Sequence, residues 1–596
     1  AVFIPVLFMG GMVGRLLHEF AVTICIAILV SGVVSLTQTP MLCSRFMTGF
    51  HGTRERGLHR AGEAFFAGLL RGYDKTLSWA LRHHILILLM FAGTIYGTVH
   101  LYGTMPKTFL PNEDTDQIFA FTEGSEDISF DAMVRHQKEV AAIVQADPNV
   151  DTLMSTIGPS GSRATGNLGL LFVHLKPRAE RKLSADDIIQ ELRPKLDQVT
   201  GMKVYMQNPP PIRVGGYLTK AQYQYTLQSL DLDLLYRWAG ILTQKLQEAP
   251  GFQDATNDMQ IRSPIVNVSI DRDRASSLGV TANQIEIALG SAFGERQVST
   301  IYTATDQYEV ILEVDPKYQQ NVASLPRLYI RSTTGALVPL TAIANIERGV
   351  GPLAINHQGQ LPAVTVSFNL APGTALGDAV DKLDQIVREL GMPKNIEASF
   401  QGTAQAFQAS LQGMGLLLLM AILVVYIVLG VLYESFVHPL TILSGLPSAS
   451  LGALLALLLA NEPLSLYSFV GVIMLVGIVK KNAIMMIDFA IDKRRNEGLD
   501  AAKAIYEACL IRFRPIMMTT MAAIMGTLPI AFGFGSGSEA RRPLGLAVAG
   551  GLVVSQLLTL YLTPVIYIYL DGLETHSGRF FARFSPRRRT KPAPAE

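Results

Sequence analysis

Two adjacent lysines, Lys480 and Lys481, sit near the middle of an apolar run from Gly471 to Ala490, a run long enough to cross a bilayer. An ammonium at that depth costs about 2.5–3.5 kcal/mol on insertion scales, so such a residue normally pairs with an acid and marks an ion or proton path. The acids near apolar runs are Glu19, Glu434, Asp488 and Glu539. Glu19, Glu434 and Glu539 stand at the ends of runs, and Asp488 lies seven residues further along the same helix, roughly 10.5 Å by helix rise. None is placed to meet a mid-membrane ammonium. Lys481 is therefore the candidate coupling residue, with a partner expected outside this sequence; Lys480 reads as its neighbour, lining the path or snorkelling to an interface.

Arg512 and Arg514 open the next apolar run, where they read as anchors on the positive side of a membrane. Thr519 and Thr520 follow; either bonds its own backbone, as hydroxyls in membrane helices do, or lines a proton path. The methionines from Met485 to Met525 read as core packing rather than as a thioether metal relay, so no metal and no cofactor is expected. Gly158–Gly169 is glycine-rich but lacks the Gly-Lys-Ser/Thr ending of a phosphate cradle. No HExxH, nucleophile elbow or paired-cysteine motif occurs in the sequence, which speaks against a hydrolase.

The elements that must carry these residues follow from composition. The 596 residues are 49% hydrophobic and 17% charged, with a mean hydropathy of +0.29; a membrane protein bearing a large water-exposed domain fits both figures. A net charge of +1 leaves no global basic field to recruit nucleic acid. Apolar runs occur at about 1–13, 20–42, 85–103, 413–433, 440–460, 465–490, 515–533 and 544–570. The basic residues of 45–84, of the loop after Ala490 and of the C-terminal tail then share one side, which is cytoplasmic by the positive-inside rule. Residues 105–410 lie on the other side.

That external stretch alternates strand and helix patterns. Strands are expected at Gln117–Thr122, Leu168–Leu175 and Lys203–Gln207, with helices at Ser129–Ala146 and Ser184–Val199. A second set starts with Gln222–Leu227 and Leu232–Ala249 and resumes with Ala363–Phe368, Ala375–Leu390 and Ile396–Gln401. Two split βαβ modules of ferredoxin-like kind, the second interrupted by an insertion at about 260–355, account for the pattern. There is also a repeat: Pro529 follows Pro5 by 524 residues, and Pro564 follows Pro40 by the same interval. Tandem halves are a transporter habit. The sequence is thus expected to be the second half of a longer protein with the end of its first half.

The stretches Gly477–Phe489, Tyr433–Pro439 and Arg512–Thr519 resemble resistance–nodulation–division (RND) efflux pumps, and Val268–Ala275 with Ile301–Thr303 resembles their MdtB/MdtC-like multidrug branch. The resemblance covers essentially the whole sequence. It implies a polytopic α-helical membrane domain plus an α+β periplasmic domain of porter modules with an inserted docking subdomain. The implied segments are 1–44, a partial fifth span and the sixth; 45–84, a cytoplasmic amphipathic helix; and 85–104, the seventh span. They continue with 105–215, a porter module; 216–259 and 356–407, a second one; 260–355, the docking subdomain; 408–572, spans eight to twelve; and 573–596, a basic cytoplasmic tail.

The resemblance further implies proton antiport rather than enzymatic turnover, export of small amphiphilic substrates, and residence in the bacterial inner membrane. Its partners would be related RND subunits in a homo- or heterotrimer, a periplasmic adaptor protein and an outer-membrane channel. The family's relay residues fall on Lys481, Arg512 and Thr519, and its proton-exchanging aspartates on a span not in this sequence, so the segment alone is expected to be inactive. Phe172 matches a drug-pocket phenylalanine; the family's other pocket phenylalanines are not evident, and Met154 stands near one such position, which implies an altered aromatic pocket. A metal-ion exporter and a protein-translocation or lipid-handling relative are the alternatives.

Overall fold

Long apolar helices and short amphipathic ones are segregated along this chain. The computed structural model describes residues 3–8, 10–46, 57–159, 165–319, 321–535 and 537–584. The middle of the glycine-rich loop and the basic residues Arg54, Arg56, Arg587, Arg588, Arg589 and Lys591 lie outside the described residues.

Among the described residues, seven helices are long and apolar enough to cross a membrane. They fall in α1 (Gly11–Phe46), α3 (His84–Thr104), α8 (Gly402–Tyr433), α9 (Leu446–Leu459, joined to the short helix His438–Leu443), α10 (Leu466–Glu497), α11 (Ala501–Phe532) and α12 (Ser538–Phe584), while α2 (Gly57–Arg82) is amphipathic. The apolar run at 1–13 gives only the short helix Ile4–Leu7 before α1 begins. α12 is the hub of the bundle, packing on α9, α10 and α11. Small residues allow this: a Cβ on Gly550 would stand 2.2 Å from the Ala456 Cβ, and one on Gly551 would stand 2.3 Å from Leu475. The helices are unequally covered. The most apolar window of α10 is 61% buried, against 6% in Val13–Phe46, so the lysine-bearing helix is the most enclosed of the seven.

Between α3 and α8 lie two modules of the same topology. The first runs β1 (Gln117–Gly124), α4 (Phe130–Gln145), β2 (Val150–Ile157), β3 (Leu168–Leu175), α5 (Ala185–Leu196) and β4 (Met202–Gln207), with antiparallel strand order β2-β3-β1-β4. Alternation sorts its faces. Ile118, Ala120, Leu171 and Val173 pack under α4 and α5 with Met133, Val140, Ile188 and Leu192, while Phe121, Leu170 and Tyr205 cluster with Phe119 and Phe172 on the other face. Ser129 caps α4, and Ser184 with Asp187 forms a capping box on α5.

The second module runs β5 (Tyr223–Gln228), α6 (Leu232–Glu248), β6 (Phe252–Asn257), β7 (Leu361–Leu370), α7 (Leu376–Leu390) and β8 (Glu397–Gln401). β7 pairs with both β5 and β6, and β5 pairs with β8, which repeats the order of the first module. The chain between β6 and β7 forms a separate small core of Ala275, Val280, Ile285, Ile330, Leu340 and Ile343. It rests on an antiparallel pair, Ser263–Ile270 with Ala344–Gly351, and carries an exposed hairpin, Arg296–Tyr302 with Gln307–Leu312.

β2 and β6 are not readable from the sequence. Most β2 side chains are exposed or half-exposed, so it lacks a buried alternating face. β6 carries Gln253, Asp254, Thr256 and Asn257, with Asp254 at φ 55°.

Candidate functional site

The antiparallel seam of α10 and α11 holds the three residues whose types point to ion coupling. Its register is set by two contacts. Asn482 Nδ2 donates to Thr520 Oγ1 at 3.1 Å, and the Arg512 guanidinium lies over the Phe489 ring at 4.8 Å. Phe489 is seven residues beyond Asn482, and Arg512 is eight before Thr520, as two antiparallel helices in steady contact require. Lys481 and Thr519 therefore stand within about 3 Å of one level, and Arg512 lies about two turns nearer the α10–α11 connection, roughly 10.5 Å from Thr519 along the helix.

No hydrogen bond or ion pair joins Lys481, Arg512 and Thr519 to one another among the described residues. Lys481 is exposed, and no carboxylate lies within ion-pair distance of it there. Arg512 is half-buried, and its Nε is a buried donor without a partner. Thr519 donates to its own backbone at Ile516 O, 3.1 Å away. Its neighbour Thr520 behaves differently. It is 3% exposed and donates to Gln556 Oε1 on α12 at 2.8 Å, and Gln556 Oε1 also accepts from Asn482 at 3.0 Å. Arg514 is an anchor: it pairs with Glu63 of α2 at 2.8 Å and sits over Phe66 at 5.2 Å.

In the first module the register places Phe119, Phe172 and Met154 side by side on β1, β3 and β2. The Phe119 and Phe172 rings meet edge to face at 5.1 Å, and Arg213 covers Phe119 at 5.4 Å. Phe172 is half-buried and Met154 is 55% exposed, so this is an accessible aromatic and thioether surface. Beside it, a cavity of about 320 Å³ opens between the modules, lined by Phe121, Thr122, Lys220, Asp258, His357 and Thr365 among others.

Among the described residues, two ion pairs tie the modules together along this seam. Lys220 Nζ donates to Glu123 Oε1 at 2.5 Å and to Asn257 O at 2.9 Å. Arg193 of α5 grips Asp254 of β6 with both guanidinium ends, Nη2 to Oδ2 at 2.9 Å, and Asn369 Nδ2 supports the same oxygen at 2.9 Å. Asp258 sits in the cavity wall with its carboxyl pushed up by burial, against hydrogen bonds from the Thr365 amide and Asn356 and the charge of Lys220.

A model of the AcrB/AcrD/AcrF family matches residues 1–571. The chain belongs to that family. It is similar to the multidrug resistance protein MdtC of Escherichia coli O139:H28 (strain E24377A / ETEC), with 45% identity over 579 residues, 97% of this chain and 56% of that protein. The same identity and coverage hold for MdtC of E. coli strains SMS-3-5 and K12 / DH10B. These likenesses place it in the MdtB/MdtC-like multidrug branch of the RND transporters. The chain spans about half the length of the curated relatives it matches.

In this RND chain, the fold thus gathers Lys481, Arg512 and Thr519 along one seam, and Met154 with Phe172 on one sheet face. The two groups belong to different parts of the molecule. Sequence reasoning missed Asn482, Gln556 and Phe119. For Phe119 the signal was present, since it alternates with Ile118 and Ala120 in a strand already recognised. Asn482 was masked by the lysines beside it, and Gln556 is one uncharged polar residue beside Ser555, Thr559 and Thr563 in an apolar run, so its role shows only where α10 and α11 bring donors to its oxygen.

Proposed function

We propose that the chain forms part of a proton-driven RND pump that exports drugs or other amphiphilic compounds. The observation that carries this reading is the α10–α11 seam, where Lys481 of the most enclosed span stands within about one turn of the level of Thr519 on α11, and Arg512 follows two turns away. Membrane-depth charge retained without a partner on its own bundle is functional by default. On this reading the countercharge of Lys481 comes from the further length that the relatives carry. Protonation of that acid releases the lysine, and α10 shifts against α11 and α12.

The two modules are then porter modules of ferredoxin-like kind, a reading supported by their shared strand order. The insertion at 260–355 is a docking subdomain. Substrate binds on the external, periplasmic side, with Phe172 and Met154 on the pocket wall. The assembly is a trimer of like or related subunits in the inner membrane, working with a periplasmic adaptor and an outer-membrane channel.

The test is Lys481→Ala in this chain joined to the remaining length its relatives carry, with drug resistance and dye efflux measured at matched expression. Loss of both is expected; undiminished resistance would sink the assignment.

A further inference from the structure

We propose that Gln556 of α12 is a positioning residue for the proton path, a role that rests on the proton-coupled reading above. Its one carbonyl oxygen accepts both the Asn482 amide, at 3.0 Å, and the Thr520 hydroxyl, at 2.8 Å, while Asn482 also donates to Thr520 at 3.1 Å. Three helices are thereby closed into one triangle. The fourth contact, Gln556 Nε2 to the Met517 sulfur at 3.3 Å, returns to α11. Asn482, Thr520 and Gln556 are 7%, 3% and 7% exposed, so water does not compete for these bonds.

The position of the triangle decides its role. Asn482 directly follows Lys481, and Thr520 directly follows Thr519. Adjacent residues on a helix are rotated by about 100°. Fixing Asn482 and Thr520 on Gln556 therefore fixes the rotation of α10 and α11, and with it the directions in which Lys481 and Thr519 project. Gln556 is uncharged, and among the described residues it hydrogen-bonds to neither. Within two turns of the triangle the charged residues are Lys480, Lys481 and Asp488 on α10 and Arg514 on α11, and α12 has none. In an apolar span the interhelical bonds of an amide hold helices together, and removing the shared acceptor leaves two donors unsatisfied at once.

The experiment uses the chain joined to its relatives' remaining length, reconstituted in proteoliposomes, with drug transport measured against pH per unit of folded protein. Gln556→Leu is expected to lower the maximal rate about tenfold with the drug KM unchanged. Gln556→Glu is expected to match Gln556→Leu at neutral pH and to recover as the medium is acidified, because only the neutral carboxyl offers the same acceptor without a buried charge. The comparison is Gly550→Ala, which presses α12 against Ala456 and leaves the triangle intact; it should lower thermal stability without moving the pH profile.

If Gln556→Leu keeps the parental rate and profile, or Gln556→Glu shows no acid recovery, the positioning role is wrong. If Lys481→Ala also transports normally, the proton-coupled reading fails and takes this inference with it. An inactive Lys481→Ala beside a normal Gln556→Leu overturns the inference alone.

Discussion

The Arg512 guanidinium lies 4.8 Å over the Phe489 ring, and among the described residues its buried Nε has no hydrogen-bond partner, so the ring face is the contact that meets this cation there. A cation–π contact contributes about 0.5–2 kcal/mol according to how far it is desolvated, and a planar guanidinium uses it better than an ammonium does. On the proton-coupled reading proposed above, Arg512→Lys and Phe489→Leu are therefore expected to impair efflux to a similar degree, although only one of them alters a charged residue. Efflux at matched expression checks this. A fully active Phe489→Leu beside an inactive Arg512→Lys would show that the guanidinium's shape and donors matter and the stack does not.

Arg193 and Asp254 join the two modules through a pair whose aspartate side chain is only 8% exposed. Removing one partner of such a pair strands the other and costs about 3 kcal/mol, whereas replacing both by apolar residues costs far less. Asp254→Asn keeps a residue tolerant of φ 55° yet loses the charge, so it should lower the melting temperature clearly. The double replacement Arg193→Met with Asp254→Leu should recover part of the Arg193→Met loss, less any cost of a branched residue at positive φ. Equal losses in single and double variants would remove the pair from the interface.

Two carboxyls outside the membrane give pH dependences of opposite sign. Burial alone would raise the Asp114 carboxyl, but hydrogen bonds from Arg181, the Ala185 amide and the Asp116 amide, with the charge of Arg181, hold it below its ordinary value of 3.8. Its stabilisation is present above that value and is lost as pH falls through the depressed one. Asp258 is raised by burial, so its charge weakens the fold at neutral pH, and stability rises as pH falls through the raised value. Thermal melts from neutral to acid pH should show Asp258→Asn abolishing the gain in mild acid and Asp114→Asn abolishing part of the loss in strong acid. Parallel curves for both variants would contradict this assignment.

Sequence periodicity sufficed where burial is one-sided. Helix α6, expected at Leu232–Ala249 and found at Leu232–Glu248, shows its buried stripe in Leu235, Ala239, Leu242 and Leu246. It failed for β2 and β6, whose polar side chains face outward or into the module seam and leave no alternation to read. In the membrane, hydropathy located the spans but not their ends, because α10, α11 and α12 continue as helix beyond their apolar runs. The charged residues were visible for the same reason that Gln556 was not. A lysine in an apolar run is anomalous by itself, whereas a glutamine acquires meaning only once two other helices bring donors to its oxygen.

The same limit applies to the aromatic face. Phe172 and Met154 are eighteen positions apart in sequence and become direct neighbours only through the β2–β3 register. Met154 exposes a flexible thioether beside an edge-to-face phenylalanine pair. An aromatic contact contributes about 0.5–1.5 kcal/mol beyond area burial, equivalent to roughly twofold to twelvefold in affinity. Phe172→Ala should therefore weaken binding of planar aromatic dyes by about that factor, while Met154→Phe, which extends the row Phe119–Phe172 by a third ring, should strengthen it. Fluorescence titration of the purified protein in detergent measures both, and the direction separates the readings. If Met154→Phe leaves dye affinity unchanged while Phe172→Ala reduces it, the bound ring reaches β3 but not β2, and the pocket wall ends at Phe172.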